Sequence, residues 1–545
     1  MKLNRIFFAL SVAGLVLSAC AKMDEVVPES GTMLASQVQQ TNAIAPSRAA
    51  ASFNGMFTNI GKPTKMYSNP DDWEFLMIMF CNDLEGSDAL IADSGYNWFS
   101  VCGEYSSRNN NYRNPAIRYR APYNMIGDVN TFLAGYAEDV EDPDAINMIA
   151  QVRALRAYSY MMLAPQYQFA PQTNVAGEGL GKDLPCVPLV TPDTEDFTNN
   201  PRASVGDIYD FVLQDLDYAV EKLEGAPRSS KMFIDGNVAH GLRARVHLLL
   251  GNYDKAYSDA VAAANGYTPA SREEVSKPTF MDISEHNWIW GYDMTTDLAL
   301  TYRYATTSSW LRSFSAWSYS AACQVYTCIN KVLWDKIPAT DVRKGWWVDE
   351  NLESPLLNGL AWPGFNDVAN ADDGDAKLPF LPYTNVKFGC LTIGTTANDE
   401  DMPLMRVEEM ILIQAEAKAH SDAAAAKSIL EDFVKTYRDA SYSADAGGRS
   451  LLDEIWFQRR VELWGEGFGV TDNLRLDKPI VRFLGTAASS NIADAFRFNL
   501  ESQDPWLRMR FPQGEMNTNF GIVDNTGGKQ PTIDMNPGLR DGVTD

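Results

Sequence analysis

The sequence predicts a mainly α-helical chain: helical hairpins stack into an array, and a large irregular, loop-rich region is inserted between them. Three observations lead there. First, across residues 237–265 apolar side chains step by three and four twice over, Ala239, Leu242, Val246 and Leu249 and then Tyr253, Ala256, Ala260 and Ala263, so each run presents one helical face. Gly251 separates the runs, because glycine enters the left-handed C-cap conformation without steric cost. Second, one hairpin cannot bury its apolar face alone, so others must stack on it. Third, the same texture returns at residues 204–223 and 403–437, while the stretches between are rich in Pro, Gly, Asn and aromatic residues.

The Gly251-x-Tyr253-x-x-Ala256 pattern resembles the second half of a tetratricopeptide repeat. At 545 residues the chain can bury a sizeable core. It carries 46 basic and 71 acidic side chains, a net charge of −25, which disfavours nucleic acid and anionic membrane surfaces as partners. Thirteen Trp and 23 Tyr are many, and few fall in helical repeats.

The amino terminus reads as an address. Lys2 and Arg5 precede a twelve-residue apolar run at 6–17, too short to span a bilayer of roughly 30 Å as a helix, so residues 1–19 read as a signal peptide. The run ends Leu17-Ser18-Ala19-Cys20, which resembles the lipobox of bacterial lipoproteins. That resemblance implies cleavage before Cys20, lipidation of its thiol and anchoring to a membrane by several acyl chains. Lys22, Asp24 and Glu25 resemble the surface-export signals of Bacteroidota lipoproteins, and residues 20–45 read as a tether to a single globular unit at 46–545. The other six cysteines, 81, 102, 186, 323, 328 and 390, fit no zinc spacing and read as buried free thiols.

In chain order, residues 49–60 read as a short helix and 73–80 as a strongly apolar run. Residues 82–113 form a long polar loop carrying aromatics, a type of segment that is often functional. Helical period returns at 116–136 and 144–163. Residues 184–190 read as an extended edge, since Pro removes ladder donors. Ser204 is a candidate N-cap with Asp207 at N3 for the helix at 204–223. Helical repeats thus occupy about 116–265 and 403–464, and the irregular insert about 266–400. Within the insert Trp288, Trp290 and Tyr292 alternate as in a strand facing the core, and 328–334 reads as a short helix. Helices are expected at 403–420, 423–437 and 451–463.

Several segments carry a more specific likeness. Leu404-Met405-Arg406-Val407-Glu408-Glu409 through Glu416-Ala417, and Ile455-Trp456-Phe457-Gln458-Arg459-Arg460-Val461-Glu462-Leu463 with Glu466-Gly467 and Asp472, resemble the paired helices of SusD/RagB-like outer-membrane lipoproteins. Leu155-Arg156-Ala157-Tyr158, Arg202 to Leu216, Leu333 to Lys344 and Phe511-Pro512 to Asn519 match further family segments in order. Two positions depart from the pattern, Gln458 where the family has Glu and Gly469 where it has Arg, so an ion pair usual in that corner is expected to be lost. The resemblance implies about four tetratricopeptide-like hairpins with an irregular ligand-binding region, an outer-membrane location facing the cell exterior, and a complex with a SusC-like TonB-dependent transporter. The implied role is capture of an oligosaccharide, or in some members a peptide, for import.

A sugar ring offers a flat C–H face and a rim of hydroxyls, which suits an indole or phenol with Asn or Arg at its edge. Tyr96, Asn97 and Trp98 supply that set in one loop; Tyr302, Arg303, Trp310, Trp317 and Tyr319 supply it in another. The resemblance implies a ligand surface drawn from these two regions. Packing beneath a long loop is the competing reading for each aromatic. Arg406, Glu409, Glu416, Arg459, Arg460 and Glu462 read as helix-face ion pairs rather than a catalytic set. Asn370 to Asp375 is an acidic turn without EF-hand spacing, and no nucleotide or hydrolase motif is present. Neither a metal nor a cofactor is expected. Beside glycan capture, the sequence leaves open peptide capture, a purely protein-binding repeat adaptor, and a glycosidase, which would need two carboxyls about 5–9 Å apart.

Overall fold

The computed structural model describes residues 35–44, 46–62, 69–92, 97–302, 306–314, 318–360, 380–394 and 397–545. Helices α1 (Ala35–Ile44) and α2 (Pro46–Thr58) lead in, the second where a short helix is expected. Next comes α3 (Glu74–Glu85), whose 12 residues are all buried. A helix with no solvent face has no polar side to write a period into the sequence, which is why the 73–80 run shows none. The expected loop at 82–113 is shorter than its composition suggests: α3 extends to Glu85, and β1 (Ala89–Ile91) and α4 (Ser100–Gly103) occupy part of the rest.

The helical array begins with α5 (Arg113–Ala134) and α6 (Pro143–Tyr167), close to their expected bounds. Short strands β2 (Asn174–Val175) and β3 (Gly179–Leu180) form a hairpin, and β4 (Pro185–Pro188) pairs antiparallel with β5 (Arg202–Ser204). The Ser204 side chain accepts from Asp207 N at 3.0 Å, and Ser204 N donates to Asp207 Oδ2 at 3.3 Å, a reciprocal capping box that starts α7 (Val205–Leu223). The central hairpin is α8 (Gly236–Leu249) and α9 (Tyr253–Ala264). Gly251 lies at φ +72° between them, with Asn252 N donating to His247 O at 2.8 Å in a Schellman closure. Ala256, Ala260 and Ala263 are fully buried, as close helix approach requires.

In the insert, β6 (Trp288–Tyr292) is followed by α10 (Thr296–Tyr302), α11 (Thr307–Leu311), α12 (Tyr319–Ala322), β7 (Thr327–Ile329) and α13 (Lys331–Trp334). The helix expected at 328–334 is formed over 331–334, directly after the strand that ends at Ile329. Trp288, Trp290 and Tyr292 are core residues with no exposed surface. Then come β8 (Met402–Arg406), α14 (Val407–Ala419), α15 (Ala423–Tyr437), α16 (Leu451–Glu462), α17 (Gly469–Arg475) and α18 (Gln513–Thr518). The helix expected from residue 403 starts only at 407, because 402–406 pair antiparallel with β6, Tyr292 opposite Met402 and Trp288 opposite Arg406. Helices α6, α7, α8 and α9 each pack on their predecessor; α14 then docks on α9, α15 packs on α14, and α16 packs on both α14 and α15.

The corner between α14 and α16 holds a buried charge network. Arg406 donates from Nε to Glu466 Oε2 at 2.8 Å and from Nη1 to Glu462 Oε1 at 3.2 Å, and pairs with Glu408 at 2.9 Å. Arg438 donates from Nε and Nη2 to Glu462, both at 2.8 Å; Arg343 reaches Glu462 at 3.3 Å and Lys387 reaches Glu466 at 2.7 Å. Gln458, the departure from the family pattern, carries no charge pair but bridges the network, donating to Glu454 at 2.9 Å and accepting from Arg343. Nearby, Arg459 pairs with Asp472 at 3.0 Å, and Arg475 with Asp472 and Glu416. These motif side chains are engaged in ion pairs, as helix-face packing predicts.

Glu74 opens α3 at φ +47° and is 8% exposed. Burial, then the charges of Asp72 and Asp128, push its carboxyl up to about 9. An acid raised on folding contributes stability that is complete below its unfolded value and is lost as pH rises through its folded value. Glu74→Gln is therefore expected to raise the thermal midpoint at pH 8, by about a few degrees, and to leave it unchanged at pH 4. Thermal unfolding at the two pH values checks this.

Candidate functional site

The two aromatic segments singled out from sequence meet in space. Antiparallel pairing of β1 with β7, Ala89 opposite Ile329 and Ile91 opposite Thr327, brings the first segment to the insert. The turn at 97–99 is closed by its own side chain: Asn97 Nδ2 donates to Ala92 O at 2.9 Å, and Phe99 N donates to Asn97 Oδ1 at 2.9 Å. Asn97 thus spends hydrogen-bonding capacity on loop geometry.

Phe99 is fully buried and meets Phe80 edge-on at 4.9 Å between ring centroids and Trp310 edge-on at 4.7 Å. Trp310 in turn stacks on Tyr319 at 4.6 Å with an interplanar angle of 24°. The Thr306 side chain caps α11 by accepting from Ser309 N at 3.2 Å, and Ser309 Oγ accepts from Tyr319 N at 2.9 Å, so α11 and α12 are fixed to each other. Trp310, expected to touch ligand, has no exposed surface. It is the underside of Tyr319 rather than a contact surface, because α11 turns the indole onto Phe99 of the 97–99 turn. Phe314, Tyr326 and Phe380 are buried as well, with Tyr326 and Phe380 edge-on at 5.3 Å.

Trp98 and Tyr319 are half-buried. The Arg113 guanidinium lies over the Trp98 ring at 5.2 Å and pairs with Asp71; burial, opposed by Arg113, pushes the Asp71 carboxyl up to about 6. Arg113 and Phe99 were not among the expected site residues. Phe99 is adjacent to Trp98 in sequence, but nothing local signals that Arg113, fourteen or so positions on, folds back over it. Tyr302 ends α10. Tyr96, Arg303 and Trp317 lie outside the described residues, as do Cys20 and the 370–375 acidic turn.

Among the described cysteines none is in a disulfide; five are buried and Cys323 is half-buried. Cys81 and Cys102 are in contact, 3.1 Å between sulfurs, beneath this turn. Among the described residues no group of three or more His, Cys, Asp or Glu forms a metal-binding cluster, and no helix is long and apolar enough to cross a membrane.

Residues 42–248 match a family model described as starch-binding, associating with the outer membrane, and residues 374–538 match the model of the SusD family. No curated protein sequence matches the chain. Among solved structures, a SusD-like carbohydrate-binding protein from Bacteroides vulgatus ATCC 8482 is 23% identical, with a TM-score of 0.68 over 88% of this chain and 97% of that one. A SusD superfamily protein from Bacteroides thetaiotaomicron VPI-5482 is 19% identical, with a TM-score of 0.68 over 88% and 99%. A laminarin-binding SusD-like protein is 16% identical, with a TM-score of 0.56 over 88% and 99%. At these identities the likeness establishes the shared fold.

Proposed function

Because the chain belongs to the SusD family, we propose that it is a surface lipoprotein, anchored through Cys20, that captures oligosaccharides and delivers them to a SusC-like TonB-dependent outer-membrane transporter. The observation that carries the reading is the run of contacting rings from Phe80 through Phe99 and Trp310 to Tyr319. It gives the half-buried Tyr319 and the neighbouring Trp98 a rigid aromatic bed, and rigid flat side chains bind sugar faces at low entropic cost. Tyr96, Asn97, Tyr302, Arg303 and Trp317 belong to the same proposed surface, and Trp310 supports it from below. The laminarin-binding protein with the same fold makes β-glucan a ligand to try first.

The test is calorimetric titration of the chain from residue 21 onward with laminarin and starch oligosaccharides and with mixed peptides. Saturable heat with a glycan is expected. Trp98→Ala and Tyr319→Ala should each weaken it about tenfold or more, as loss of a central aromatic contact does. Heat with peptides alone would replace the glycan reading by peptide capture. Absence of heat with every ligand would favour a protein-binding adaptor.

A further inference from the structure

Away from the aromatic surface, the helical array encloses a cavity of about 150 Å³ that opens to solvent. It lies where α6, α8 and α14 converge on the segment leading into α17, and its walls include Met161, Met162, Leu249, Ile413 and Phe468. Protein interiors are close-packed, and voids of this size are few. A dry apolar cavity of about this volume accepts a benzene-sized guest, and methionine walls adapt to irregular shapes. The cavity therefore has the size and surface for one compact apolar body.

Its polar edge is specific. Arg245 and Glu409 face it as a 2.6 Å pair, and Arg459 and Asp472 as a 3.0 Å pair. Arg475 is paired with both Asp472 and Glu416. Each charge at the edge already has its counter-charge, so an ionic guest would arrive uncompensated in a poorly solvated place. One donor stands out. Arg459 is 3% exposed, forms part of the cavity wall, and its Nη1 has no hydrogen-bond partner among the described residues. A buried donor without an acceptor is costly and calls for an occupant that supplies one.

We propose that this cavity is a second binding site, for a small neutral molecule with an aromatic or branched aliphatic body and a single carbonyl acceptor that meets the Arg459 guanidinium. The site is lined mainly by helices of the array, joined by Leu404 and the segments at 168–171 and 466–468, and includes none of the residues of the proposed glycan surface.

The probe is 4-fluoroacetophenone, titrated into the chain from residue 21 onward and followed by fluorine NMR. Saturable binding is expected. 4-Fluorobenzoate, which adds a charge, and 4-fluorotoluene, which lacks the acceptor, should each bind at least tenfold more weakly. Leu249→Trp and Met162→Trp fill the cavity from two different helices; both residues are half-buried at its wall. Either variant that keeps the parent thermal midpoint should lose the probe at least tenfold. Absence of saturable binding to the parent, or undiminished binding to a folded filled variant, would overturn the site. Benzoate binding as tight as the ketone would overturn the neutral-ligand assignment, and toluene binding as tight would overturn the role of Arg459.

Discussion

Replacing Glu462 by alanine is expected to cost about 3–5 kcal/mol of folding stability, the range seen when one member of a buried ion network is removed. Glu462 has no exposed surface and accepts from Arg343, Arg406 and Arg438. Without it three guanidiniums remain enclosed with too few carboxylates, and water cannot reach them. Against the 5–15 kcal/mol typical of a folded protein, that loss shows as a large drop in the denaturation midpoint. Its pH dependence identifies the cause. Burial alone would raise the Glu462 carboxyl, but Arg438, Arg406 and Arg343 together hold it well below the usual carboxylate range. A group depressed on folding contributes stability that is present above its unfolded value, near 4.3, and that is lost as pH falls through its folded value. The gap between parent and Glu462→Ala in urea denaturation should therefore be full at pH 7 and narrow as pH falls below about 4. A gap that stays constant down to pH 2 would mean that packing, not charge, holds the corner.

The second large effect is expected from restoring the family's arginine at position 469. Gly469 begins α17 where it crosses α3, and Gly469 N donates to Asp83 Oδ1 at 3.0 Å. A Cβ there would stand 2.9 Å from Asp83 Cα and 3.0 Å from Asn82 O, both backbone atoms. Backbone cannot yield as a flexible side chain can, so Gly469→Arg should destabilise by about 1–3 kcal/mol or more through overpacking. Gly469→Ala separates sterics from charge: it should show most of the loss. If alanine is tolerated and only arginine destabilises, the conflict lies in the guanidinium rather than in the helix crossing. The departure from the family pattern is thus a matched change, with α3 brought close enough to α17 that only hydrogen fits.

The parts of the fold that could be read from sequence are those with a solvent face. The α8–α9 hairpin, the Ser204 capping box and the Gly251 stop carry local signatures, and each stands where the residues placed it. What was not legible is buried on every side. Helix α3 has no solvent-facing side, and all five residues of β8 are buried with α14 following directly, so no exposed turn marks where the strand ends and the helix begins. The candidate site shows the same boundary. Composition drew attention to the 82–113 and 294–319 stretches, and Phe99 against Trp310 joins them. Composition could not say that Trp310 is the floor and Tyr319 the surface above it, because that depends on which way α11 turns, and a five-residue helix has no period to show it.

The docking of α14 on α9 also sets a timetable. Helices α9, ending at 264, and α14, starting at 407, are neighbours in the stack but far apart in the chain, so the face of α9 on which α14 docks stays open until the whole insert has followed. At a synthesis rate of about 5–20 residues per second, that interval lasts roughly ten seconds or longer. Closing so long a loop costs entropy before any contact rewards it. During that interval the first half of the array presents an unsatisfied helix face to whatever else is nearby.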